Sequence, residues 1–223
     1  MKQLVLDLAS PAEPTLDNFV AGPNAEALQA MRDLAAGARR DPVIYLFGPG
    51  GSGRTHLLRA VAARCAGALY VTGTADDLAP ETLLDVVAWD DVQQLDAAGQ
   101  ARLFGLLIRL REAGGLLLCA GDVAPAQLPL RADVVTRLAA GMAYRLQVLA
   151  DDEKAEAVTR HAAQRGFQLG REVVDYLLRR HARDLPALIR MLEALDRYSL
   201  ETKRAVTVPL VRELLMDARA IVP

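Results

Sequence analysis

Residues 48–55 constrain the fold of this chain more than any other segment. They read GPGGSGRT, the phosphate-loop pattern G-x-x-x-x-G-K-[ST] with arginine in the place of lysine. Glycine takes positive φ freely, so such a loop can turn its N–H groups toward an anion at the start of the next helix. An apolar run precedes the loop and helical apolar spacing follows it, as the motif requires. The expected phosphate contacts are Gly48, Gly50, Gly51, Ser52, Gly53, Arg54, Thr55 and His56, with Thr55 also on Mg²⁺.

Two alternatives stay open for this loop. The segment can be a glycine-rich turn of an unrelated domain. Arg54 keeps the positive charge and can bind phosphate through two parallel donors, but it is bulkier than an ammonium group. We therefore expect nucleotide to bind and its hydrolysis to be slow. The competing interpretation is that Arg54 replaces lysine without consequence.

Composition limits the possible functions. The chain has 223 residues and a formal net charge of −2, so no overall basic field grips DNA non-specifically. This argues against a nucleic-acid binder that acts through bulk charge, not against a partner of one. Direct sequence-specific DNA binding is not expected either. Cys65 and Cys119 are expected to be core thiols in a reducing compartment. His56, His161 and His181 lack metal-ligand spacing, which argues against zinc. A leader-like apolar segment and a membrane-length apolar run are missing from the sequence, so we expect a cytoplasmic protein without a membrane partner.

The order of apolar runs predicts a short tail at 1–15, an α/β domain at 16–150 and a small all-helical domain at 151–223. Near-continuous apolar strands favour a buried parallel sheet, hence a three-layer fold with helices on both faces. Strands are predicted at 43–47, 68–71, 86–89, 116–120 and 144–149, with helices at 25–38, 55–66, 97–113 and 133–140. In the helical domain, acids at 151–153 begin a helix that Gly166 ends, a second helix covers 171–181, and Asp184 caps a third with Pro186 in its first turn.

Acidic side chains follow two of the predicted strands. Asp90 and Asp91 come after the third, where the first acid of such a pair can lie near Mg²⁺ and the second can orient the attacking water. Asp91 is shorter than the more usual glutamate, which weakens its case as a base. Asp122 follows the fourth strand and can sense the outermost phosphate, since ligands bind at the carboxyl ends of such strands. The alternative for all three is a turn-capping role.

Three further features carry competing interpretations. Arg137, in a segment placed after the fourth helix and before the fifth strand, can reach the γ-phosphate of a neighbouring subunit, or it can be a solvated surface arginine. Trp89 is expected in the core rather than as a stacking platform for single-stranded nucleic acid, since aromatic residues make up only 4% of the chain. The N-terminal tail alternates polar and apolar residues, so it can lie in a partner's pocket as an extended peptide or form an edge strand of its own sheet. The tail residues concerned are Gln3, Leu4, Leu6 and Leu8.

These segments, in this order, resemble the AAA+ ATPases of the DnaA clade. Residues 16–24, LDNFVAGPN, are similar to the F-x-N-F-V-x-G-x-N box that cradles adenine, which assigns Phe19, Val20 and Asn24 to cofactor binding. The DDVQ at 90–93 resembles the D-D-I-Q form of Walker B, and Gly121-Asp122 resembles the sensor 1 strand end. The TRL at 136–138 resembles the S-R-L box, which carries the arginine finger. The resemblance implies ADP or ATP with Mg²⁺ as cofactors.

Within the clade, the chain is most similar to the regulatory inactivators of DnaA. The chain stops at Pro223 without room for a DNA-binding domain, the tail resembles a sliding-clamp-binding peptide, and Arg54 is similar to that subfamily. The resemblance implies a protein that docks on the DNA-loaded sliding clamp and brings Arg137 to the ATP held by the DnaA initiator. Hydrolysis would then inactivate the initiator and prevent a second round of replication.

One departure and two alternatives remain. Pro186 stands where the clade usually carries a sensor 2 arginine, and the nearby Arg183 and Arg190 are not assigned that role. The resemblance therefore does not extend to the coupling of nucleotide to the helical domain. A stand-alone ATPase of the helicase-loader type would hydrolyse its own nucleotide. A tethering or regulatory paralogue would bind another protein without stimulating hydrolysis. Whether the free protein is a monomer or a homodimer is left open by the sequence.

Overall fold

The computed structural model describes residues 13–38, 41–73, 85–180 and 185–219. The chain forms two compact units, of which the first is Glu13–Val148 and the second begins at Leu149. Among the described residues, no helix combines the length and the apolar character that crossing a membrane requires. The predicted partner-binding residues Gln3, Leu4, Leu6 and Leu8 lie outside the described residues, as do Arg183 and Asp184.

The first unit contains a five-stranded sheet in the order β2-β3-β4-β1-β5, and every neighbouring pair is parallel. The strands are β1 Val43–Phe47, β2 Ala68–Val71, β3 Val86–Trp89, β4 Leu116–Gly121 and β5 Met142–Arg145. The first three match their predicted bounds, and β4 is one residue longer. Strands β3 and β4 are buried along their whole length, which explains why their sequences are apolar without alternation.

Helices cover both faces of this sheet and give the predicted three-layer α/β fold. They are α1 Ala25–Ala35, α2 Arg54–Arg64, α3 Ala97–Ala113 and α4 Ala132–Ala139. Alternate strand residues divide between two cores: Ile44 and Leu46 pack with α1 and α2, whereas Val43 and Tyr45 pack with α3 and α4. Trp89 is fully buried in the second core, as predicted.

Helices α1 and α2 end earlier than the sequence predicted, at Ala35 rather than 38 and at Arg64 rather than 66. Glycines at positive φ explain both ends, because Gly37 at 90° and Gly67 at 72° turn the chain out of the helical conformation. The predicted bounds of α3 are confirmed.

The predicted bounds of the fifth strand, 144–149, are wrong, because β5 spans Met142–Arg145. It begins early because Gly141 lets the chain run close to β1: a Cβ atom there would lie 2.3 Å from a backbone oxygen of that strand. The strand ends at Arg145, although the Leu146 N–H still donates to the Phe47 carbonyl of β1 at 2.6 Å. The backbone of the following residue, Gln147, binds elsewhere. Gln147 accepts a hydrogen bond from the Asn24 side chain at 2.9 Å and donates one back to it at 2.8 Å.

The helix predicted at 133–140 is confirmed to within one residue at each end, so the placement of Arg137 after that helix is wrong. Residues 135–138 lie inside α4, and Arg137 is in its last turn. The helix continues through this segment because Val134 and Leu138, four residues apart, are both fully buried against the sheet. Arg137 therefore projects from a helix rather than from a loop, which fixes the position of its Cα atom.

The second unit is helical over its described residues. Its helices are α5 Asp151–Gln164, α6 Arg171–Arg180, α7 Leu185–Thr202 and α8 Val208–Arg219. Glu153 accepts a hydrogen bond from the Ala150 N–H at 2.7 Å, which supports the predicted acidic start of α5. Gly166 follows α5 at φ 85°, and Pro186 is the second residue of α7. Buried side chains from all four helices form one core, which includes Val158, Leu177, Leu192 and Leu210.

Candidate functional site

The loop between β1 and α2 is folded as its glycines predict. Gly48, Gly51 and Gly53 have φ of 154°, 80° and 97°, a region that L side chains rarely adopt. A Cβ atom on Gly48 would lie 2.2 Å from the carbonyl oxygen of Leu146, so the chain after β5 closes over the start of the loop. The Ser52 N–H donates to the Pro49 carbonyl at 3.2 Å and completes the turn.

The loop leads directly into the start of a helix. Helix α2 begins at Arg54, and its N-cap, Gly53, supplies no side chain to bind the first N–H groups. Two side-chain atoms of residues at this end of the helix, Ser52 Oγ and Arg54 Nη1, are buried and find no hydrogen-bond partner among the described residues. Unpaired donors around an open helix start favour an anionic ligand, since burial without a partner is costly.

The charge of Arg54 acts on the Tyr45 hydroxyl. Burial raises the pKa of the Tyr45 hydroxyl and nearby Asp122 raises it further, while the charge of Arg54 opposes both effects. Tyr45 donates to the Val123 carbonyl at 3.0 Å, just past β4. Asp122 itself is exposed. The loop arginine and the sensor-like aspartate are thus both within electrostatic range of one phenol at the carboxyl edge of the sheet.

Asp90 and Asp91 stand at the end of β3, two strands away from the loop strand. Asp90 is 2% exposed, and its carboxylate accepts from the Asp91 N–H and the Tyr70 hydroxyl, both at 3.0 Å. Asp91 takes φ 52°, an unusual conformation for a residue with a side chain. The Gln93 amide donates to Asp91 Oδ1 at 3.1 Å, which fixes the second acid as well.

The segment before α1 packs on the loop through aromatic contacts. A Cβ atom on Gly53 would lie 2.6 Å from the Phe19 ring, so the ring lies directly against the loop. Phe19 meets His56 edge-on at 5.3 Å between ring centroids. The His56 Nε2–H donates to the Thr15 carbonyl at 2.9 Å. In this structure His56 binds the chain segment that carries Phe19, so its geometry fits a residue that holds the site together.

Asn24 connects this segment to the far side of the loop. It is 2% exposed, and its side chain makes the two hydrogen bonds to Gln147 described above. Val20 is partly buried four residues earlier. The box at 16–24 is therefore tied to the chain that follows β5, and both flank the phosphate loop.

The Arg137 side chain packs on the Phe104 ring of helix α3. Its guanidinium carbon lies 4.7 Å from the centroid of the Phe104 ring, and that of Arg131 lies 5.9 Å from the same ring. Arg131 is bound to the Asp133 carboxylate at 2.7 Å. Arg137 has no carboxylate partner among the described residues. Stacking on a ring leaves the N–H donors of a guanidinium available for a ligand, whereas an ion pair occupies them.

The residues present fit Mg²⁺ bound together with a nucleotide. Across the part of the chain that the structure describes, no group of three His, Cys, Asp or Glu side chains could hold a metal by itself. Magnesium in such sites takes one or two protein ligands and completes its shell with phosphate and water. The exposed Thr55 and the anionic Asp90 supply ligands of that chemistry.

The carboxyl ends of β1, β3 and β4 lie on one edge of the sheet, so the fold gathers the loop, Asp90 and Asp122 at that edge. Arg137 lies apart, on α4. Two contributors, Tyr70 and Phe104, were not singled out from the sequence, and Gln93 was only part of the DDVQ motif, without a role of its own. A tyrosine in an edge strand gives no signal of its own, and the role of each residue depends on which carboxylate or guanidinium it meets.

The sheet order, the loop before α2 and the second helical unit together define a P-loop AAA+ fold with a helical lid. A family model for the Hda lid domain matches residues 151–215. A Haemophilus influenzae protein described as uncharacterized is 32% identical over 96% of this chain and 98% of its own length. The chain belongs to the DnaA-like AAA+ proteins related to Hda.

Solved structures support the fold independently. Domain III of the Thermotoga maritima replication initiation protein DnaA superposes with a TM-score of 0.76 at 22% identity, over 92% of this chain and 96% of that one. AMPPCP-bound DnaA from Aquifex aeolicus gives a TM-score of 0.68 at 21% identity, over 86% of this chain and 70% of that one. The fold is therefore shared with replication initiators, at identities that concern the fold alone.

His56 predicts a pH dependence of stability. Burial lowers its pKa in the folded protein, and the Thr15 hydrogen bond only partly opposes this. The unfolded chain then binds the proton more readily, so the stability contribution is complete above about pH 6.5 and is lost as pH falls toward the lowered pKa. The free energy of unfolding followed by Trp89 fluorescence should fall between about pH 7.5 and about pH 5.5.

Replacement of His56 by glutamine should flatten this slope. His161, whose pKa is also lowered by burial, belongs to the second unit, and H161Q should leave the Trp89 transition unchanged. Equal slopes in H56Q and the wild type would contradict the assignment.

Proposed function

We propose that this protein is a nucleotide-bound negative regulator of chromosomal replication initiation, which stimulates hydrolysis of the ATP held by DnaA. The observation that carries the proposal is Arg137, a guanidinium stacked on Phe104 at 4.7 Å without a carboxylate partner among the described residues. Such a group can be presented to a neighbouring protein's γ-phosphate as an arginine finger. Membership in the Hda-related family supports this reading.

The nucleotide in the loop is proposed to be ADP or ATP with Mg²⁺. The support is the open start of α2 beside the buried, unpaired Ser52 Oγ and Arg54 Nη1. The Aquifex aeolicus DnaA structure with AMPPCP shares the fold, which favours an adenine nucleotide. Phe19, Val20 and Asn24 would border the base, and the backbone of residues 48–55 would hold the phosphates.

Within its own site the protein is proposed to hydrolyse nucleotide slowly. When bound, Mg²⁺ neutralises phosphate charge and polarises the transferred group. Arg54 replaces a compact ammonium with a planar fork, which binds phosphate but cannot occupy the same position. Asp91, which would orient water, is already bound to the Gln93 amide at 3.1 Å. Asp90 would lie near the metal and Asp122 near the outermost phosphate.

The partners are proposed to be the DNA-loaded sliding clamp and the DnaA initiator. The clamp would bind Gln3, Leu4, Leu6 and Leu8 as an extended peptide, an assignment that depends on the sequence pattern alone. Both partners act in the cytoplasm, where we also place this protein.

Reconstituted hydrolysis tests the proposal. DnaA loaded with γ-labelled ATP is mixed with this protein and the clamp on DNA, and phosphate release is measured. We expect acceleration only when all components are present. The double variant Gln3→Ala with Leu6→Ala should lose clamp binding and acceleration while its own nucleotide affinity stays unchanged. Rapid turnover by this protein alone would contradict the proposal and favour a stand-alone ATPase, and acceleration that ignores the clamp would contradict the partner assignment.

A further inference from the structure

The carboxylate of Asp90 is bound by two neutral donors. One is the N–H of the next residue, Asp91, and the other is the hydroxyl of Tyr70, each at 3.0 Å. No cation pairs with Asp90 among the described residues, although it is only 2% exposed. A buried carboxylate needs hydrogen-bond donors, but neutral donors leave its negative charge in place for a metal cation.

Tyr70 is placed for this task by the sheet register. It lies on β2 opposite Ala88 of β3, two residues before Asp90, so the phenol reaches past the end of β3. The Asp90 N–H donates to the Val71 carbonyl at 2.9 Å, which holds the two strands together at the same level. Strand β2 thus holds Asp90 twice, once through its backbone N–H and once through its carboxylate.

Arg59 completes the arrangement from α2. Its guanidinium carbon lies 5.0 Å from the centroid of the Tyr70 ring. Burial raises the pKa of Tyr70, while a hydrogen bond from Arg59 and its charge oppose the rise. Arg59 follows Arg54 on the helix that starts at the loop, so Tyr70 lies between that helix and Asp90.

We propose that Tyr70 is a positioning residue for Asp90 and that it determines how much Mg²⁺ strengthens nucleotide binding. The proposal deepens the nucleotide site described above and depends on it. Donation from the phenol fixes one carboxylate oxygen, so the carboxylate keeps one orientation relative to the loop. Without the hydroxyl, only the Asp91 N–H still holds the carboxylate, so part of the affinity for the cation goes into ordering the freed oxygen again.

The test compares nucleotide affinity with and without the metal. The full chain is titrated with mant-ADP in Mg²⁺ and in EDTA. The Kd in EDTA divided by the Kd in Mg²⁺ is defined as the magnesium gain. Tyr70→Phe should lower the gain about tenfold, as expected for a hydrogen bond to a charged group. Its Kd in EDTA should match the wild type, because the backbone loop is unchanged.

Further variants separate positioning from general structure. In Asp90→Asn the gain should be lost, and adding Tyr70→Phe to it should change nothing more, since Tyr70 acts only through Asp90. Tyr198→Phe is a matched control, because it removes a phenol that donates to Glu213 at 2.8 Å in the second unit. Arg59→Gln leaves the Tyr70 hydroxyl in place and should lower the gain less than Tyr70→Phe.

Three outcomes would overturn the proposal. The first is a wild-type gain in Tyr70→Phe, and the second is an equal loss from that substitution in the Asp90→Asn background. The third is a larger effect from Arg59→Gln, which would assign the role to the arginine. If the folded wild type does not bind mant-ADP at all, the nucleotide site itself is wrong, whereas binding with an unchanged gain refutes the role of Tyr70 alone.

Discussion

Replacement of Arg137 by alanine is expected to slow the stimulated hydrolysis of DnaA-bound ATP by about 10³-fold, which is typical for loss of an arginine finger. The side chain lies on the Phe104 ring and is only partly buried, so its removal leaves the core residues Val134 and Leu138 in place. The variant should therefore fold, bind its own nucleotide and bind the clamp as the wild type does. Phosphate release from DnaA is the measurement.

Arg131, the residue just before α4, offers a matched control at the other end of the same helix. Its guanidinium lies over the same ring, at 5.9 Å, but it is already bound to the Asp133 carboxylate at 2.7 Å. Arg131→Ala should reduce the stimulated rate by less than about tenfold, since an exposed ion pair contributes little. Equal losses in the two variants would show a general charge effect, and an unchanged rate in Arg137→Ala would exclude the finger.

Gly48→Ala is expected to destabilise the first unit by about 3 kcal/mol, because strain at positive φ adds to a steric overlap. The φ of Gly48 is 154°, and the new Cβ would lie 2.2 Å from the Leu146 carbonyl oxygen. Backbone cannot yield as a flexible side chain does. The added methyl group should push the start of the loop away from Leu146. Nucleotide affinity should therefore fall together with stability.

Gly50→Ala is the control for this prediction. Gly50 does not have positive φ, and a Cβ there meets no protein atom within 4 Å, so the nucleotide-free variant should unfold within about 1 kcal/mol of the wild type. The free energy of unfolding is measured in urea through Trp89, the single tryptophan, which is buried in this unit. Similar values for the two alanine variants would show that the loop is not closed as described.

Local sequence patterns predicted the parts of the fold that depend on local chemistry. The loop follows from its glycines, and β1, β2 and β3 follow from apolar runs whose ends are marked by polar residues or glycine. Asp90 and Asp122 reach one sheet edge because parallel strands end there together. These features need only the residues beside them, so the sequence could specify them without knowledge of long-range contacts.

The remaining features depend on residues far apart in the chain. After β5 the chain leaves β1 at Gln147, whose backbone binds the Asn24 side chain, more than a hundred residues earlier in the sequence. The partner of Asp90 is Tyr70, from the neighbouring strand, and that of Arg137 is Phe104, from another helix. A single sequence does not show which side chains meet across the fold, so these contacts required the structure.

His56 shows the same limit at a residue that was assigned. Its place beside the loop predicted a nucleotide contact, which stays a prediction. The structure shows its ring against Phe19 and its Nε2–H donating to the Thr15 carbonyl at 2.9 Å. Sequence position next to the phosphate loop does not determine which way a side chain turns once α2 begins.

Calorimetric titration of the nucleotide-free, folded chain with ADP and ATP tests the central claim most directly. If the backbone of residues 48–55 wraps a polyphosphate at the start of α2, one nucleotide should bind per chain with a Kd of about 1 µM or below. Binding should be stronger in Mg²⁺ than in EDTA, since Thr55 and Asp90 suit that cation. A folded sample that takes up neither nucleotide, with or without Mg²⁺, would contradict the account.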